Sequence, residues 1–193
     1  MDAFLVSTAI VALAEIGDKT QLLAFILAAK FRRPWPIVLG ILVATLANHA
    51  FAAAVGTWLT TLMGPQTLRW VLGLSFIAMA VWTLIPDKLD EDEARLPRLG
   101  VFGATLVAFF LAEMGDKTQI ATVMLAAQYP HLLLVVIGTT LGMLLANVPV
   151  VLAGNFAAER LPLTLIRRIA ASAFGLLAIY AAWQAARLSG WLG

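Results

Sequence analysis

Two copies of one short polar motif lie inside long apolar stretches of the sequence. Residues 14–21 read Ala-Glu-Ile-Gly-Asp-Lys-Thr-Gln, and residues 112–119 read Ala-Glu-Met-Gly-Asp-Lys-Thr-Gln. Carboxylate oxygens are ligands that hard cations such as Mg²⁺, Ca²⁺ and Mn²⁺ accept, and they also take up protons. The motifs therefore predict a cation site whose ligands are the four acidic residues Glu15, Asp18, Glu113 and Asp116.

Burying charged groups in the middle of an apolar helix is energetically unfavourable, so their presence indicates a structural or functional role. On insertion scales each costs roughly 2.5–3.5 kcal/mol, so the three in one motif cost about 8 kcal/mol. Residues at i, i+3 and i+4 share a helix face, so we expect Glu15, Asp18 and Lys19 to point together into a helix bundle. The structural alternative is an i,i+4 ion pair between Glu15 and Lys19 that only orients helices.

The charge balance favours a divalent cation over that alternative. If each motif lysine neutralises one carboxylate, one negative charge remains in each motif, and two motifs balance one divalent ion. Protons that compete with the cation for the same oxygens would give cation/proton exchange. No separate cofactor is expected, because Mn²⁺ or Ca²⁺ would be the transported substrate.

Other polar residues are expected to surround the ligands. The motif lysines would neutralise the emptied site, and the threonines and glutamines would supply neutral groups around it. Asparagines in apolar helices usually bond across to another helix, and a histidine can carry a proton. The residues assigned to this group are Lys19, Lys117, Thr20, Thr118, Gln21, Gln119, Asn48, His49 and Asn147. Asn48 and Asn147 are paired by a one-residue shift, which leaves His49 opposite Val148 or a neighbour.

Each motif also contains a glycine between its two carboxylates. Glycine is unfavourable inside a helix and permits local unwinding, so Gly17 and Gly115 are candidate hinges whose freed carbonyls could join the cation. The alternative is that these glycines only let two helices pack closely.

The composition requires a membrane. Of the 193 residues, 62% are apolar and 12% are charged, against about 25% charged in soluble domains. A span needs about 20 apolar residues, so the chain can form six. They are expected at residues 3–28, 36–58, 68–86, 99–127, 132–155 and 165–187. This excludes a soluble enzyme and a nucleic-acid-binding protein as first interpretations, and the absence of cysteine excludes disulfides and thiolate metal sites.

The motifs belong to a duplication of the chain. Residues 14–29 and 112–127 are identical at 10 of 16 positions, at an offset of 98 residues. We expect repeat 1 at residues 1–86, an acidic connector at 87–98 and repeat 2 at 99–193. Because each repeat has three spans, the second must enter the membrane from the opposite side. The predicted fold class is an all-α integral membrane protein with six transmembrane helices in two inverted three-helix repeats, as in secondary transporters.

The orientation follows from the basic residues outside the motifs. Nine lie in connections on one side: Lys30, Arg32, Arg33, Lys88, Arg95, Arg98, Arg160, Arg167 and Arg168. Only Arg69 and Arg187 lie on the other side. Since basic loops stay in the cytoplasm, both termini are predicted outside and the acidic connector inside. The connector is interpreted as a solvated link, with cation sensing as the alternative.

The doubled Glu-x-Gly-Asp-Lys-Thr, at residues 15–20 and 113–118, resembles the signature of the Gdt-one family, also called uncharacterised protein family sixteen. The resemblance covers essentially the whole chain. It implies a transporter of Mn²⁺ or Ca²⁺ that exchanges the cation for protons at the four motif carboxylates. It also implies that a bacterial member exports Mn²⁺ across the plasma membrane, and no targeting extension is seen here. Its partners would be a divalent cation, protons and the lipid bilayer; the oligomeric state stays undetermined.

Three other functions stay open at this point. One is Ca²⁺/H⁺ exchange at the same site, since both ions accept six or more oxygens. Another is an intramembrane enzyme that uses the carboxylates as general acid and base, although a duplicated motif predicts a symmetric site and not the different roles of catalysis. The last is a channel, which would conduct without proton coupling. Of these classes we expect a transporter, not an enzyme.

Overall fold

The computed structural model describes residues 1–86, 98–153 and 163–189, and no strand occurs among them. Over these residues the prediction of an all-helical chain is confirmed. In chain order the helices of the described part are α1 (Asp2–Glu15), α2 (Lys19–Phe31), α3 (Pro34–Leu62), α4 (Pro65–Thr83), α5 (Gly100–Glu113), α6 (Lys117–Gln128), α7 (Leu132–Ala153) and α8 (Leu163–Leu188). Prolines open α3 and α4, where the missing N–H would have no helical partner anyway.

The surfaces of these helices suit lipid. Three helices of the described part are long and apolar enough to cross a membrane, at Pro34–Leu62, Leu132–Ala153 and Thr164–Leu188. Large apolar side chains stand out from them: Leu133 is 71% exposed, and Leu176 and Ile179 are each 68% exposed. Such a surface is unfavourable in water and ordinary against acyl chains. The chain is a membrane protein, while the count of six spans stays a prediction.

The first and fourth predicted spans are not continuous helices. In the first span α1 ends at Glu15 and α2 begins at Lys19. In the fourth span α5 ends at Glu113 and α6 begins at Lys117. Inside these gaps φ is 82° at Gly17 and 75° at Gly115, a left-handed conformation that no α-helix contains. The prediction that Glu15, Asp18 and Lys19 share one face of one helix is therefore wrong.

The most extensive helix contacts join the two halves of the chain. They pair α4 with α8, α1 with α7, and α3 with both α5 and α6. At the α4–α8 contact the rings of Phe76 and Phe174 lie 6.4 Å apart between centroids, and these residues are related by the 98-residue offset. Two residues at equivalent positions in the duplicated sequence therefore pack against each other where the halves meet. Buried apolar residues form two clusters, and each contains residues from both halves of the chain.

Similar close helix contacts occur at equivalent positions in the two halves of the sequence. A Cβ added to Gly40 on α3 would lie 2.7 Å from Thr105 Cβ on α5, and one added to Gly138 on α7 would lie 3.1 Å from Ser7 Cβ on α1. All four residues are related by the same offset. Small residues at both contacts let the helix backbones approach and so fix the broken helices against α3 and α7.

Two predicted connections lie mostly outside the described residues. Within the acidic connector at 87–98 only Arg98 is described, and it is exposed. The connection that carries Arg160 lies within residues 154–162, also outside the described part. The division into repeats at 1–86 and 99–193 stays a prediction.

Candidate functional site

The motif carboxylates lie at the helix breaks. Glu15 is the last residue of α1, Ile16 and Gly17 leave the helix, and Asp18 is the N-cap of α2. Glu113 and Asp116 take the same positions between α5 and α6. A carboxylate is favourable at a helix N-terminus, where the dipole is positive, and unfavourable at a C-terminus. The two glutamates are therefore placed where a bound cation or a proton stabilises them most.

The motif glutamines close the breaks. The Gly17 N–H donates to Gln21 Oε1 at 2.9 Å, and the Gly115 N–H donates to Gln119 Oε1 at 2.7 Å. These bonds satisfy backbone groups that the interrupted helix leaves without a partner. Gln21 also donates from Nε2 to the Ala146 carbonyl of α7 at 2.9 Å, which ties the first break to the other half of the chain.

Three of the four predicted ligands form one buried cluster. One oxygen each of Glu15, Glu113 and Asp116 lies within 4.8 Å of the other two, and the three residues are 0%, 0% and 5% exposed. Thr20 Oγ1 donates to Glu15 Oε2 at 2.6 Å, and Thr118 Oγ1 donates to Glu113 Oε2 at 2.8 Å. Among the described residues, Oε1 of each glutamate has no hydrogen-bond partner. These two oxygens are available to a cation.

The fourth predicted ligand, Asp18, lies outside this cluster and faces a lysine. Lys117 Nζ is 4.0 Å from Asp18 Oδ1, and Lys19 Nζ is 3.9 Å from Asp116 Oδ1. Each of these ion pairs crosses from one motif to the other, because the break removes the i,i+4 relation within a motif. Lys117 Nζ also donates to the Ile85 carbonyl beyond α4 at 3.2 Å.

The two asparagines reach the breaks from α3 and α7. Asn147 Nδ2 lies 3.4 Å from Glu15 Oε2 and is the cross-helix contact to the carboxylate cluster. Asn48 Nδ2 donates to the Phe110 carbonyl of α5 at 3.0 Å, and its Oδ1 accepts from Gln119 Nε2 at 3.5 Å. Both asparagines therefore bond across helices, Asn147 to a predicted ligand and Asn48 to the glutamine that closes the second break.

The predicted pairing of Asn48 with Asn147 by a one-residue shift is wrong. The two motif glutamines contact Asn48 and Ala146, which differ by 98 residues without a shift. The same offset makes His49 the counterpart of Asn147. His49 is fully buried, and in the described part of the chain neither of its ring nitrogens has a hydrogen-bond partner.

Sequence reasoning missed a contact of Arg167 at the first break. Arg167 Nη2 on α8 donates to the Gly17 carbonyl at 3.5 Å. Its counterpart Arg69 on α4 instead donates from Nη1 to Gln128 Oε1 at 2.7 Å. The 98-residue spacing of the two arginines was the available signal, but nothing in the sequence places a side chain of α8 at a break between α1 and α2.

Taken together, the two breaks form a buried, acidic site to which both motifs contribute. Four carboxylates against two lysines leave a formal charge of −2 when all six groups are ionised. Carboxylate oxygens, with asparagine and threonine oxygens nearby, suit a hard divalent cation.

Comparison with known proteins matches the chain to one family of membrane transporters. A family model described as "Divalent cation/proton antiporter GDT1" matches residues 3–91 and 101–189. A Vibrio cholerae protein named "Putative manganese exporter" is 54% identical over 184 residues, which cover 95% of this chain and 92% of that protein. A GDT1-like protein of Synechocystis is 27% identical over 204 residues, covering 95% and 98%. GDT1-like protein 3 of Oryza sativa is 26% identical over 188 residues, covering 83% and 66%. No solved structure matches the chain significantly.

Proposed function

The chain belongs to the GDT1 family of divalent cation/proton antiporters, and on that basis we propose that it exports Mn²⁺ from the cytoplasm in exchange for protons. Family membership makes it a transporter and not an enzyme. The choice of Mn²⁺ is supported by the Vibrio cholerae relative, whose name assigns it to manganese export.

The observation that carries the proposal is the buried carboxylate cluster between the two helix breaks. Glu15, Glu113 and Asp116 present oxygens within 4.8 Å of one another, and the glutamate Oε1 atoms have no hydrogen-bond partner in the described chain. A divalent ion would bring these oxygens together, and Asp18 would join after its pair with Lys117 opens. When the ion leaves, protons take its place on the glutamates.

We place this site in six spans arranged as two inverted repeats. Each broken helix, α1–α2 and α5–α6, is one span, and α4, with 19 residues, is about 28 Å long at 1.5 Å per residue, which fits the hydrocarbon core. Discontinuous helices at the interface of repeats are the usual setting of a transport site. Rocking of the repeats would expose the cluster to each side in turn.

We further propose that the protein lies in the bacterial plasma membrane with both termini outside. Two hydrogen bonds indicate that the start of α4 and the ends of α6 and α8 lie on the same side of the membrane. Gln66 Nε2 donates to Ser189 Oγ at 2.7 Å, and Arg69 donates to Gln128 at 2.7 Å. The distribution of basic residues assigns that side to the exterior.

Transport by the purified protein in liposomes tests the ion and the coupling together. With equal Mn²⁺ and Ca²⁺ and an imposed pH gradient, we expect Mn²⁺ to move in preference to Ca²⁺ and against the proton flux. Preferential Ca²⁺ movement would establish the Ca²⁺/H⁺ alternative. Ion flux that is independent of the pH gradient would indicate a channel and overturn the antiport mechanism.

A further inference from the structure

His49 on α3 is a buried polar group that the proposed mechanism leaves without a role. Its side chain is fully buried, and within the described chain neither Nδ1 nor Nε2 has a hydrogen-bond partner. Burying both polar atoms of an imidazole without partners is costly, and such groups are rare in proteins. A neutral imidazole with a free nitrogen is a common metal ligand.

The symmetry of the helix contacts locates His49 relative to the carboxylates. Gly40 on α3 and Gly138 on α7 make equivalent close contacts with α5 and α1, so α3 and α7 correspond at the 98-residue offset. Under that correspondence His49 takes the position of Asn147, which lies 3.4 Å from Glu15 Oε2. By the same correspondence the expected neighbour of His49 is Glu113, whose Oε1 has no hydrogen-bond partner in the described chain; the structure describes no hydrogen bond between the two side chains.

We propose that His49 ligates the transported cation through an imidazole nitrogen, next to Glu113, and thereby makes the site prefer Mn²⁺ over Ca²⁺. This inference rests on the proposed cation site and specifies its selectivity. Mn²⁺ and Ca²⁺ both suit carboxylate oxygens, so carboxylates alone discriminate poorly between them. Ca²⁺ takes oxygen ligands throughout, whereas Mn²⁺, as a transition-metal ion, also accepts an imidazole nitrogen, so one nitrogen ligand favours Mn²⁺. His49 is not part of the three-carboxylate cluster, so the ring joins the ion by a side-chain rotation or a small shift of α3 when the ion binds.

The chain allows a direct spectroscopic test because it contains only two histidines. The other, His131, is exposed just before α7 and serves as the matched control. Pulsed electron paramagnetic resonance of bound Mn²⁺ detects ¹⁴N of a coordinated imidazole, and ¹⁵N-histidine labelling identifies its source. We expect the ¹⁴N modulation in wild type and His131→Asn, and its loss in His49→Asn.

Competition transport supplies a second readout. We expect His49→Asn, which restores the residue of the symmetric position, to lower the ratio of Mn²⁺ to Ca²⁺ transport about tenfold or more, since loss of even an outer hydrogen-bonding partner costs 10–100-fold in metal affinity. His49→Gln tests the same point if the asparagine variant does not fold.

Each outcome separates this inference from the proposed function. If wild type exchanges Mn²⁺ for protons but His49→Asn keeps the imidazole modulation or the wild-type ion ratio, the ligand role of His49 is wrong and the antiporter stands. If wild type neither binds nor transports Mn²⁺, both are wrong.

Discussion

At the scale of single residues, the environment of Glu15 and Glu113 explains how one site could serve both a cation and protons. Each glutamate ends a half-helix, where unpaired carbonyls add negative charge, and each keeps one carboxylate oxygen hydrogen-bonded to a threonine. The second oxygen, Oε1, has no hydrogen-bond partner in the described chain. An isolated buried carboxylate is costly, so both glutamates favour a positive ligand.

The threonine hydrogen bonds should set cation affinity. Thr20→Val removes the donor to Glu15 while keeping the shape of the side chain, so the carboxylate loses its fixed orientation. We expect the Mn²⁺ concentration for half-maximal transport to rise about tenfold, with the same effect for Thr118→Val because its bond to Glu113 is equivalent.

Thr8→Val on α1 is the matched control for these variants. Its hydroxyl donates within the helix to the Phe4 carbonyl at 2.8 Å, away from the carboxylates. The Mn²⁺ concentration for half-maximal transport by Thr8→Val in liposomes should therefore equal that of wild type. If Thr20→Val behaved like Thr8→Val, Thr20 would not orient the ligand.

The sequence identified the charged residues of the site but not their partners. Three charges inside an apolar stretch are recognisable because they are costly to bury. Local helical spacing suggested a Glu15–Lys19 pair. The structure instead describes one ion pair of Lys19 with Asp116 and one of Lys117 with Asp18, each with the opposite motif. These pairs join residues that are 97 and 99 positions apart. Such contacts depend on tertiary structure, which local helical spacing does not report.

At the scale of elements, the helix breaks bring the carboxylates together. A continuous helix would spread Glu15, Asp18 and Lys19 over one turn, while the break puts the glutamate at one helix end and the aspartate at the start of the next. The sequence left the role of Gly17 and Gly115 undecided, because unwinding and close packing both favour glycine. At Gly115 an added Cβ would meet nothing within 4 Å, so close packing does not account for that glycine.

Gly115→Ala therefore tests the backbone conformation alone. At φ 75°, an alanine is strained by roughly 1–2 kcal/mol. We expect a lower unfolding temperature in detergent and slower Mn²⁺ transport.

Gly175→Ala on α8 also places its Cβ in open space, but in a helix, where alanine is favoured by up to about 1 kcal/mol over glycine. Its unfolding temperature should be unchanged or higher. Equal behaviour of the two alanine variants would show that the left-handed glycine is not required.

At the scale of the whole molecule, the two halves are interwoven, with α1 against α7 and α5 against α3. The duplication was readable in the sequence because the motif and its flanking residues recur at one offset. The contacts between the two halves could not be predicted in the same way, because no local sequence pattern indicates which helices of one half contact which helices of the other. Arg167 and Arg69 depart from symmetry, since only Arg167 contacts a helix break through a hydrogen bond that the structure describes.

The proposed orientation can be measured with single cysteines, since the chain has none of its own. Gln66 and Arg98 are both exposed and lie on opposite sides in the proposed topology. We expect Gln66→Cys to react with an impermeant maleimide in intact cells, and Arg98→Cys to react only after permeabilisation. The reverse pattern would invert the assignment of the termini.

In the proposed mechanism, carboxylates from both helix breaks form one site that binds either the cation or protons. The most direct measurement is Mn²⁺-driven proton movement in proteoliposomes, followed with a trapped pH dye. We expect Glu15→Gln and Asp116→Asn each to abolish the proton signal. Asp2→Asn, an exposed carboxylate at the start of α1, should keep it. Full proton movement in either the Glu15→Gln or the Asp116→Asn protein would contradict the shared site.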